Sequence, residues 1–481
     1  MSKIQEECGV FGIISSERCD VASSTYYGLF ALQHRGQQGC GITVNDDGLF
    51  STYKDIGIVN DVFTRSKLEN LGEGTMAIGQ VLYASGNITR DHAQPIVVDH
   101  TKGRLAIAAN ICLINAPELR EEFELKGSIF RTDSDAELIL HIIVEERLRS
   151  KSIEEAVRKA IPRLEGAYSF VLMSPKKIIA VRDPLGFKPL CYGSCDDGSI
   201  IIASESCALN AAGAKLTRDI EPGEILIFDK NDAQNNSKSN IRGFTDFCSK
   251  NKRSLCVFEY VYFARPDSII DGASVHAARI NAGKLLAKEH PVEADVVIGV
   301  PDSGLDAALG YSRESGIPYG IGFLKNKYIA RTFIAPGQKT REDKVRIKLN
   351  PISDTLKGKR VIMIDDSIVR GTTSARIVNL VREAGATEVH MRISSPPFLN
   401  PCYYGTDATN SDTLVASHHT IDEIAKIIGV DSLGYLSLDG IKQIANGNDC
   451  GYCTACFDGC YPTRKPSAQK RKYDKKISEN N

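Results

Sequence analysis

Apolar residues in the first half of the chain occur in short runs separated by polar turns. Four runs read as β-strands, at residues 9–14, 75–81, 169–173 and 200–203. Two stretches, at residues 26–33 and 135–147, repeat their apolar positions with the period of a helix instead. Many short strands with a few helices between them predict a layered α+β domain.

The second half changes to repeated strand–loop–helix units. Apolar runs at residues 296–300 and 360–364 are each followed by a polar loop and a helical pattern. The second helix carries Ile377, Leu380 and Val381 on one face, stops at Gly385, and leads into a strand at residues 388–395. This order predicts a parallel sheet. The Asn- and Ser-rich segment 231–240 predicts a loop near the domain boundary.

Length and composition narrow the class of protein. A chain of 481 residues is too long for one core and predicts two domains. The net charge of −1 gives no reason to expect nucleic acid or a membrane surface as partner, and no apolar run approaches the ~20 residues of a membrane helix. The charged N-terminus is not a signal peptide, so we expect a cytoplasmic protein. Its 14 cysteines are then not expected to form disulfides.

One segment combines features that suit a phosphorylated sugar. An apolar strand ends in Asp365 and Asp366, and a helix begins after Gly371. A helix N-terminus binds phosphate through its free N–H groups, and the hydroxyls of Thr372 and neighbouring residues add donors. The carboxylates suit ribose hydroxyls or Mg²⁺. The plainer alternative is an ordinary turn whose hydroxyl residues cap a helix.

This segment resembles the PRPP (5-phosphoribosyl-1-pyrophosphate) motif of type I phosphoribosyltransferases. Residues 300–304 resemble that family's pyrophosphate loop. Residues 259–272, 325–333 and 394–405 resemble one branch, the glutamine PRPP amidotransferases, with Lys327 where Arg is frequent. The resemblance implies Mg²⁺ at Ser303, Asp365 and Asp366. It implies PRPP binding by Ser303, Lys327, Asp365, Asp366, Ser367, Arg370, Gly371, Thr372, Thr373 and Ser374.

Cys450 and Cys453 form a CxxC pair that, taken alone, fits metal binding, redox chemistry or coincidence. The resemblance connects this pair with Cys256 and Cys402, because one subgroup of the family holds a 4Fe–4S cluster with four cysteines in these contexts. The cluster would be structural. A zinc site or simple buried thiols are the alternatives, and Cys456 and Cys460 lie outside the pattern.

The N-terminal half resembles N-terminal-nucleophile glutaminases. In that family a leader, here residues 1–7, is removed, and the α-amine of the new first residue, here Cys8, acts as base for its own thiol. The resemblance places Arg35, Asn110 and Asp135 in the glutamine site. Asn110 would serve the oxyanion hole and Asp135 would hold the glutamine amine.

Two glutaminase motifs depart from the family pattern. The family has Gly-His-Val-Arg-Tyr, whose Arg binds the glutamine carboxylate, and this chain has Leu82 at the Arg position. The family has His-Asn-Gly-Asn-Leu, and this chain has Ala109, Ile111 and Cys112 around the retained Asn. Arg90 or Arg104 are the cations that could replace the lost Arg. Both departures predict poor glutamine hydrolysis.

We therefore expect a leader at 1–7, a four-layer α/β/β/α glutaminase domain at 8–240, a type I phosphoribosyltransferase domain at 250–460 and a charged tail at 461–481. The implied activity forms 5-phosphoribosylamine, glutamate and pyrophosphate from PRPP, glutamine and water, opening purine synthesis. An ammonia-dependent enzyme with an inactive glutaminase half, or a non-catalytic PRPP-binding regulator, are the alternatives. The resemblance also implies a homotetramer and purine-nucleotide feedback.

Overall fold

The computed structural model describes residues 8–83, 88–234, 241–248, 253–326, 349–406, 408, 410–445 and 451–466. The chain divides into two compact units. Among the described residues, the N-terminal unit contains those of 8–253 with 403–405 and 461–466, and the C-terminal unit contains those of 254–402 and 406–460. In the part of the chain that is described, no helix is long and apolar enough to cross a membrane.

Two antiparallel sheets form the centre of the N-terminal unit. The first has the strand order β11-β9-β10-β1-β4-β2-β3 and the second β13-β12-β8-β7-β6-β5. The strands are β1 (Gly9–Cys19), β2 (Gly39–Asp46), β3 (Leu49–Ile56), β4 (Gly74–Leu82), β5 (Ile96–His100), β6 (Gly103–Leu113), β7 (Gly166–Met173), β8 (Lys177–Arg182), β9 (Cys191–Ser194), β10 (Ile200–Ala203), β11 (Lys215–Asp219), β12 (Ile225–Asp229) and β13 (Arg242–Phe244).

Helices cover the outer face of each sheet. They are α1 (Val21–Ala31), α2 (Val59–Val62), α3 (Arg65–Leu71), α4 (Ala116–Leu125), α5 (Asp135–Arg149), α6 (Ile153–Ala160) and α7 (Ser206–Ala211). A further short helix, α8 (Lys230–Gln234), contacts β1 of the first sheet and β12 of the second. Alternate residues of β1 explain the layering, because Val10 and Ile14 pack between the sheets while Phe11 and Ile13 pack against the α1 side. On the second sheet, Ile139 and its neighbours in α5 form the outer core. The predicted four-layer α/β/β/α fold is confirmed.

The predicted loop at residues 231–240 was wrong at its start. Its first residues belong to α8. Asp229 Oδ1 accepts from the backbone N–H of Asn231 at 2.9 Å, and Asp232 Oδ2 accepts from the N–H of Asp229 at 2.8 Å. These two acidic side chains satisfy backbone donors that a polar composition alone would assign to a loop.

A four-stranded parallel sheet, in the order β17-β20-β21-β22, forms the centre of the C-terminal unit. The strands are β14 (Leu255–Cys256), β15 (Ile269–Ile270), β16 (Ala273–Ser274), β17 (Val296–Gly299), β18 (Phe323–Lys325), β19 (Leu349–Pro351), β20 (Arg360–Asp365), β21 (Glu388–Ile393), β22 (Ser432–Tyr435) and β23 (Tyr452–Cys453). The helices are α9 (Val275–Glu289), α10 (Gly304–Ser315), α11 (Ser353–Leu356), α12 (Thr372–Glu383), α13 (Ile421–Ile428), α14 (Leu438–Lys442) and α15 (Ala455–Asp458), with a π-helical turn at Glu259–Phe263.

Both faces of the parallel sheet are buried. Val297, Ile362 and Ile364 pack on the side of α9 and α10, and Val361 and Met363 pack on the side of α12 and α13. Strands buried on both faces read as continuous apolar runs, which is why this sheet could be predicted from sequence.

Helices α9 and α10 cross at two glycines. A Cβ at Gly283 would lie 1.9 Å from the carbonyl oxygen of Ala307, and a Cβ at Gly310 would lie 2.0 Å from that of Ile280. Only glycine permits this backbone approach. The contact fixes the position of α10, whose first residue lies at the carboxyl end of the sheet.

Candidate active sites

Two adjacent carboxylates end strand β20. Asp365 and Asp366 are both 1% exposed. Asp366 Oδ1 accepts a hydrogen bond from Ser303 Oγ at 2.6 Å, and Asp366 Oδ2 accepts one from Ser367 Oγ at 2.6 Å. Both oxygens are held by hydroxyl donors, so the orientation of this carboxylate is fixed before a ligand binds.

Parallel pairing brings Ser303 to this carboxylate. Strand β17 lies beside β20, with Gly299 opposite Ile364, and the Val300 N–H donates to the Ile364 carbonyl at 2.8 Å. A Cβ at Gly304 would lie 2.4 Å from that same carbonyl oxygen. Glycine therefore lets the start of α10 approach the end of β20, and the two predicted loops meet at one edge of the sheet.

Gly371 begins the phosphate-binding turn. It adopts a φ of +77° at the N-cap of α12, a conformation that favours glycine. Thr372 is exposed, Thr373 is partly exposed and Ser374 is buried in the first turn of the helix. The N–H groups of this turn and the positive end of a 12-residue helix form a site for a phosphate.

Two cationic residues belong to the predicted PRPP set. Arg370 is exposed beside Gly371. Lys327 lies outside the described residues, as does most of the segment 325–333 that resembles the amidotransferase branch. Lys325, at the start of that segment, forms an ion pair with Asp302 in the predicted pyrophosphate loop. The described start of this segment is thus attached to the loop that the resemblance assigns to pyrophosphate.

Cys8 lies at the open end of the first sheet of the N-terminal unit. Its Sγ donates to the Tyr83 carbonyl at 3.2 Å and lies 3.4 Å from the Tyr83 N–H. Strands β1 and β4 are antiparallel with Gly9 opposite Val81. Extending this register by one residue sets Cys8 opposite Leu82, so the two side chains are cross-strand neighbours.

Leu82 is 4% exposed and lies on the face that opposes the second sheet. Gln80 shares this face, and its Nε2 donates to the Ala109 carbonyl at 2.6 Å. The two family motifs carry His at the positions of Gln80 and Ala109. The two altered motifs of this chain therefore contact each other between the sheets. Ile111 continues β6 opposite Tyr168, in regular strand geometry. The special backbone conformation that glycine permits is not used there.

Asn110 lies within the altered segment of β6, residues 109–112, and Asp135 contacts the residue that follows this segment. Asn110 is 3% exposed, and its Nδ2 has no hydrogen-bond partner in the part of the chain that is described. Asp135, in the first turn of α5, accepts from the Leu113 N–H at 2.8 Å. A buried amide donor without a partner carries a desolvation penalty that a bound carbonyl oxygen would remove.

The two cations considered as substitutes for the lost Arg are engaged elsewhere. Arg104 is bound to both carboxylate oxygens of Asp99, with Nε 2.5 Å from Oδ1. It opens β6, six residues before Asn110, which is ~20 Å along a strand. Arg90 donates to the Lys54 carbonyl at 2.9 Å and lies over the Tyr53 ring. Neither faces Cys8 through a described contact.

Arg35 is fully buried and forms an ion pair with Glu205. His34 Nε2 lies 2.6 Å from the same carboxylate oxygen. Glu205 is 0% exposed and was missed by the sequence analysis, because 170 residues separate it from Arg35 and no spacing rule connects them. The local signal was an acidic residue two positions after the apolar run at 200–203.

Three of the four predicted cluster cysteines are described. Cys256 pairs with Cys453 in the parallel β14–β23 ladder. Burial raises the pKa of the Cys456 thiol, and the neighbouring Cys402 and Cys453 raise it further. Cys450 lies outside the described residues. Within the described ranges, no three His, Cys, Asp or Glu side chains already form a metal site.

Comparison with known proteins gives matches of two kinds. The sequence matches the family of glutamine amidotransferase domains over residues 85–211. It is 50% identical to an amidophosphoribosyltransferase of Methanocaldococcus jannaschii, covering 95% of this chain and 98% of that protein. It is 46% identical to the amidophosphoribosyltransferase of Bacillus subtilis, covering 96% of this chain and 95% of that protein.

Solved structures agree with these relatives. The glutamine PRPP amidotransferase of B. subtilis, complexed with ADP and GMP, superposes with a TM-score of 0.87 at 45% identity. The match covers 96% of this chain and 99% of that one. The similarity therefore spans both units of the chain rather than one domain.

Proposed function

The chain belongs to the amidophosphoribosyltransferase family, and from this premise we propose how its own residues carry the reaction. The reaction converts PRPP, glutamine and water into 5-phosphoribosylamine, glutamate and pyrophosphate, the first step of purine synthesis. The observation that carries the proposal is the Asp366 carboxylate held by Ser303 and Ser367 beside the N-terminus of α12.

In the C-terminal unit, the acidic pair binds the ribose hydroxyls. The turn from Gly371 to Ser374 binds the 5′-phosphate, and the loop at Ser303 receives the pyrophosphate. Because these groups are fixed on the ends of adjacent strands, they hold the anomeric carbon in one place while ammonia displaces pyrophosphate. Lys327 and Arg370 contribute positive charge toward the phosphates.

Mg²⁺ is the cofactor that this donor set fits. Two buried carboxyl groups and the Ser303 hydroxyl are hard oxygen donors, which Mg²⁺ prefers. When bound with PRPP, the metal would neutralise charge on the leaving pyrophosphate. Asp365, Asp366 and Ser303 would hold it.

In the N-terminal unit, the Cys8 thiol attacks the carboxamide carbon of glutamine. The C–N bond breaks, ammonia leaves and a thioester forms, which water then hydrolyses to glutamate. Removal of residues 1–7, which lie outside the described part, gives Cys8 the free α-amine that acts as base. The unpartnered Nδ2 of Asn110 supplies an oxyanion donor, Asp135 holds the substrate amine and Arg35 supports the site.

A specific observation favours ammonia over glutamine as the nitrogen source. Leu82 is the buried cross-strand neighbour of Cys8, where the family carries the Arg that binds the glutamine carboxylate. Both candidate replacements, Arg90 and Arg104, are bound elsewhere. We infer that glutamine binds weakly and that free ammonia supports turnover better. The organised PRPP site argues against the non-catalytic alternative.

A 4Fe–4S cluster fits the cysteines of the C-terminal unit. Four thiolates complete such a cluster, and Cys256 and Cys453 are opposite each other with Cys402 nearby. Cys450 would be the fourth ligand. The bound cluster would tie the end of the unit to its beginning, and zinc is the competing occupant.

The remaining partners follow from the family. The B. subtilis structure contains ADP and GMP, and we propose that purine nucleotides inhibit this enzyme as well. We propose a homotetramer in the cytoplasm.

The experiment measures pyrophosphate release from PRPP and ammonia. Replacing both Asp365→Asn and Asp366→Asn should lower the rate at least ~100-fold, because the ribose is no longer positioned. Asp354→Asn, an exposed acidic residue of α11, is the matched control and should retain activity. Unchanged turnover in the folded double variant would refute the assignment.

A further inference from the structure

We propose that Glu205 is a positioning residue for the Cys8 nucleophile, acting through His34 and Arg35. Glu205 ends the connection between β10 and α7 and is completely buried. It does not contact Cys8 in any described interaction. The inference rests on the proposed role of Cys8 and concerns what holds the strand ends around that thiol.

The Glu205 carboxylate lies between the side chains of Arg35 and His34. Arg35 Nε donates to Oε1, and His34 Nε2 lies 2.6 Å from the same oxygen. The other nitrogen of His34, Nδ1, lies 3.2 Å from the Ala31 carbonyl, so both ring nitrogens of His34 are held. Cys207 Sγ donates to the second carboxylate oxygen of Glu205, Oε2, at 3.6 Å.

The group formed by Glu205, Arg35 and His34 lies beside the start of strand β1, directly after Cys8. Ser204, the residue before Glu205, donates its N–H to the Val10 carbonyl at 3.0 Å and accepts the Val10 N–H at 2.9 Å. A Cβ on Gly9 would lie 3.4 Å from Arg35 Cδ. The buried ion pair therefore packs directly on the two residues that follow the nucleophile.

The loop that carries His34 and Arg35 continues through residues 36–38, which contact the end of strand β4, the neighbour of β1. A Cβ on Gly36 would lie 2.6 Å from the Val81 carbonyl carbon and 2.7 Å from the Leu82 nitrogen. The Gln38 N–H donates to the Leu82 carbonyl at 3.1 Å. Tyr83 follows directly and holds the Cys8 thiol through its backbone. Fixing residues 34–36 at Glu205 thus fixes both strand ends that set the position of the thiol.

The test uses the full-length protein with Glu205→Gln, which keeps the shape of the side chain and removes its charge. Glu224→Gln is the matched control, because Glu224 is also buried and also pairs with an arginine, Arg218. Glutamate release from glutamine should fall about tenfold or more in Glu205→Gln, since a misplacement of ~1 Å can cost on the order of 100-fold in rate. Pyrophosphate release with ammonia should stay within about twofold, because the PRPP residues are untouched.

Alkylation by iodoacetamide, followed by peptide mass spectrometry, distinguishes positioning from a general loss of structure. Cys8 should react severalfold faster in Glu205→Gln, because the thiol is no longer held at the Tyr83 backbone. Cys40 is the internal control: burial raises its pKa to about 12, and it should stay unreactive while the fold is intact. Unchanged Cys8 alkylation and glutamate release in the folded variant would overturn the proposal.

A second pair of variants covers the case in which Glu205→Gln does not fold. His34 is partly exposed, so His34→Gln, which keeps an N–H donor to Glu205, and His34→Leu, which removes it, should both fold. Only His34→Leu should raise Cys8 alkylation, and equal rates would overturn the proposal. Cys8→Ala tests the proposed function separately, because loss of glutamate release is expected there whatever Glu205 does.

Discussion

At the scale of single residues, the proposal that glutamine binds weakly rests on Leu82 and Ile111. Leu82 places an apolar side chain beside Cys8, and Ile111 keeps β6 regular where the family has glycine. The two positions where the family motifs carry histidine are in contact here, since Gln80 Nε2 donates to the Ala109 carbonyl.

Restoring both positions should restore the use of glutamine. We expect Leu82→Arg with Ile111→Gly to raise glutamine-dependent phosphoribosylamine formation about 100- to 1000-fold, the range that one oxyanion donor is worth. Ammonia-dependent formation should stay nearly unchanged. The measurement compares both nitrogen sources in the unaltered and double-variant proteins. Efficient use of glutamine by the unaltered protein would show that another residue binds the carboxylate.

Sequence motifs could locate residues whose neighbours in the chain share their role. Asp365, Asp366 and Gly371 follow one strand and precede one helix, so a local pattern predicted their meeting. Glu205 could not be found in this way, because its partners follow α1 and are far away in the chain. Long-range pairs of this kind are set by sheet order, which no single segment encodes.

At the scale of elements, apolar runs predicted strands to within a few residues, because strands buried on both faces leave a continuous signal. The predicted helix at 26–33 is α1, which begins earlier, at Val21. Asp20 caps it by accepting from the Ser23 N–H at 2.9 Å, and this cap was not recognised in the sequence.

The α9–α10 crossing gives a prediction at this scale. Gly283→Ala should destabilise the protein by about 1–3 kcal/mol or more, since the new Cβ meets a backbone oxygen that cannot rotate away. The gain in helix propensity of ~1 kcal/mol does not offset this. The KM for PRPP should also rise, because α10 starts at the pyrophosphate loop. Thermal unfolding and PRPP titration measure both effects, with Lys284→Ala as control. An unaltered melting temperature would contradict the packing argument.

The β14–β23 ladder gives a second prediction at this scale. Anaerobically purified protein should be brown and contain about four irons per chain, the content of one 4Fe–4S cluster. Cys453→Ser should lose iron and lower the melting temperature. Cys460→Ser, an exposed cysteine outside the ladder, should lose neither. Stoichiometric zinc in place of iron would exclude the cluster.

At the scale of the whole molecule, the two units are not consecutive pieces of chain. Residues 403–405 and 461–466 belong to the N-terminal unit. The Tyr404 ring stacks on Phe187 at 4.2 Å between centroids, and its hydroxyl lies 2.8 Å from Thr463 Oγ1. Arg464 donates to Glu165 at 2.5 Å. A charged composition predicted only a tail from residue 461, because these contacts depend on partners distant in sequence.

Truncation separates these residues from the rest of the tail. A chain ending at residue 466 should unfold like the full-length protein. A chain ending at residue 460 should lose about 2 kcal/mol of stability, since an aromatic contact, a hydrogen bond and an exposed ion pair are removed together. Urea unfolding of both chains measures this difference. Equal stabilities would mean that residues 461–466 contribute nothing to the N-terminal unit.

The assignment of residues 403–405 and 461–466 to the N-terminal unit also has a consequence for folding during translation. N-terminal domains commonly fold while the ribosome is still adding the rest of the chain. Here the N-terminal unit lacks some of its own residues until roughly 210 more have followed Arg253, which takes about 10–40 s at typical rates of synthesis. The unit that carries Cys8 is therefore complete only after residues 461–466 have been synthesised, so its folding cannot finish before most of the C-terminal unit has been translated.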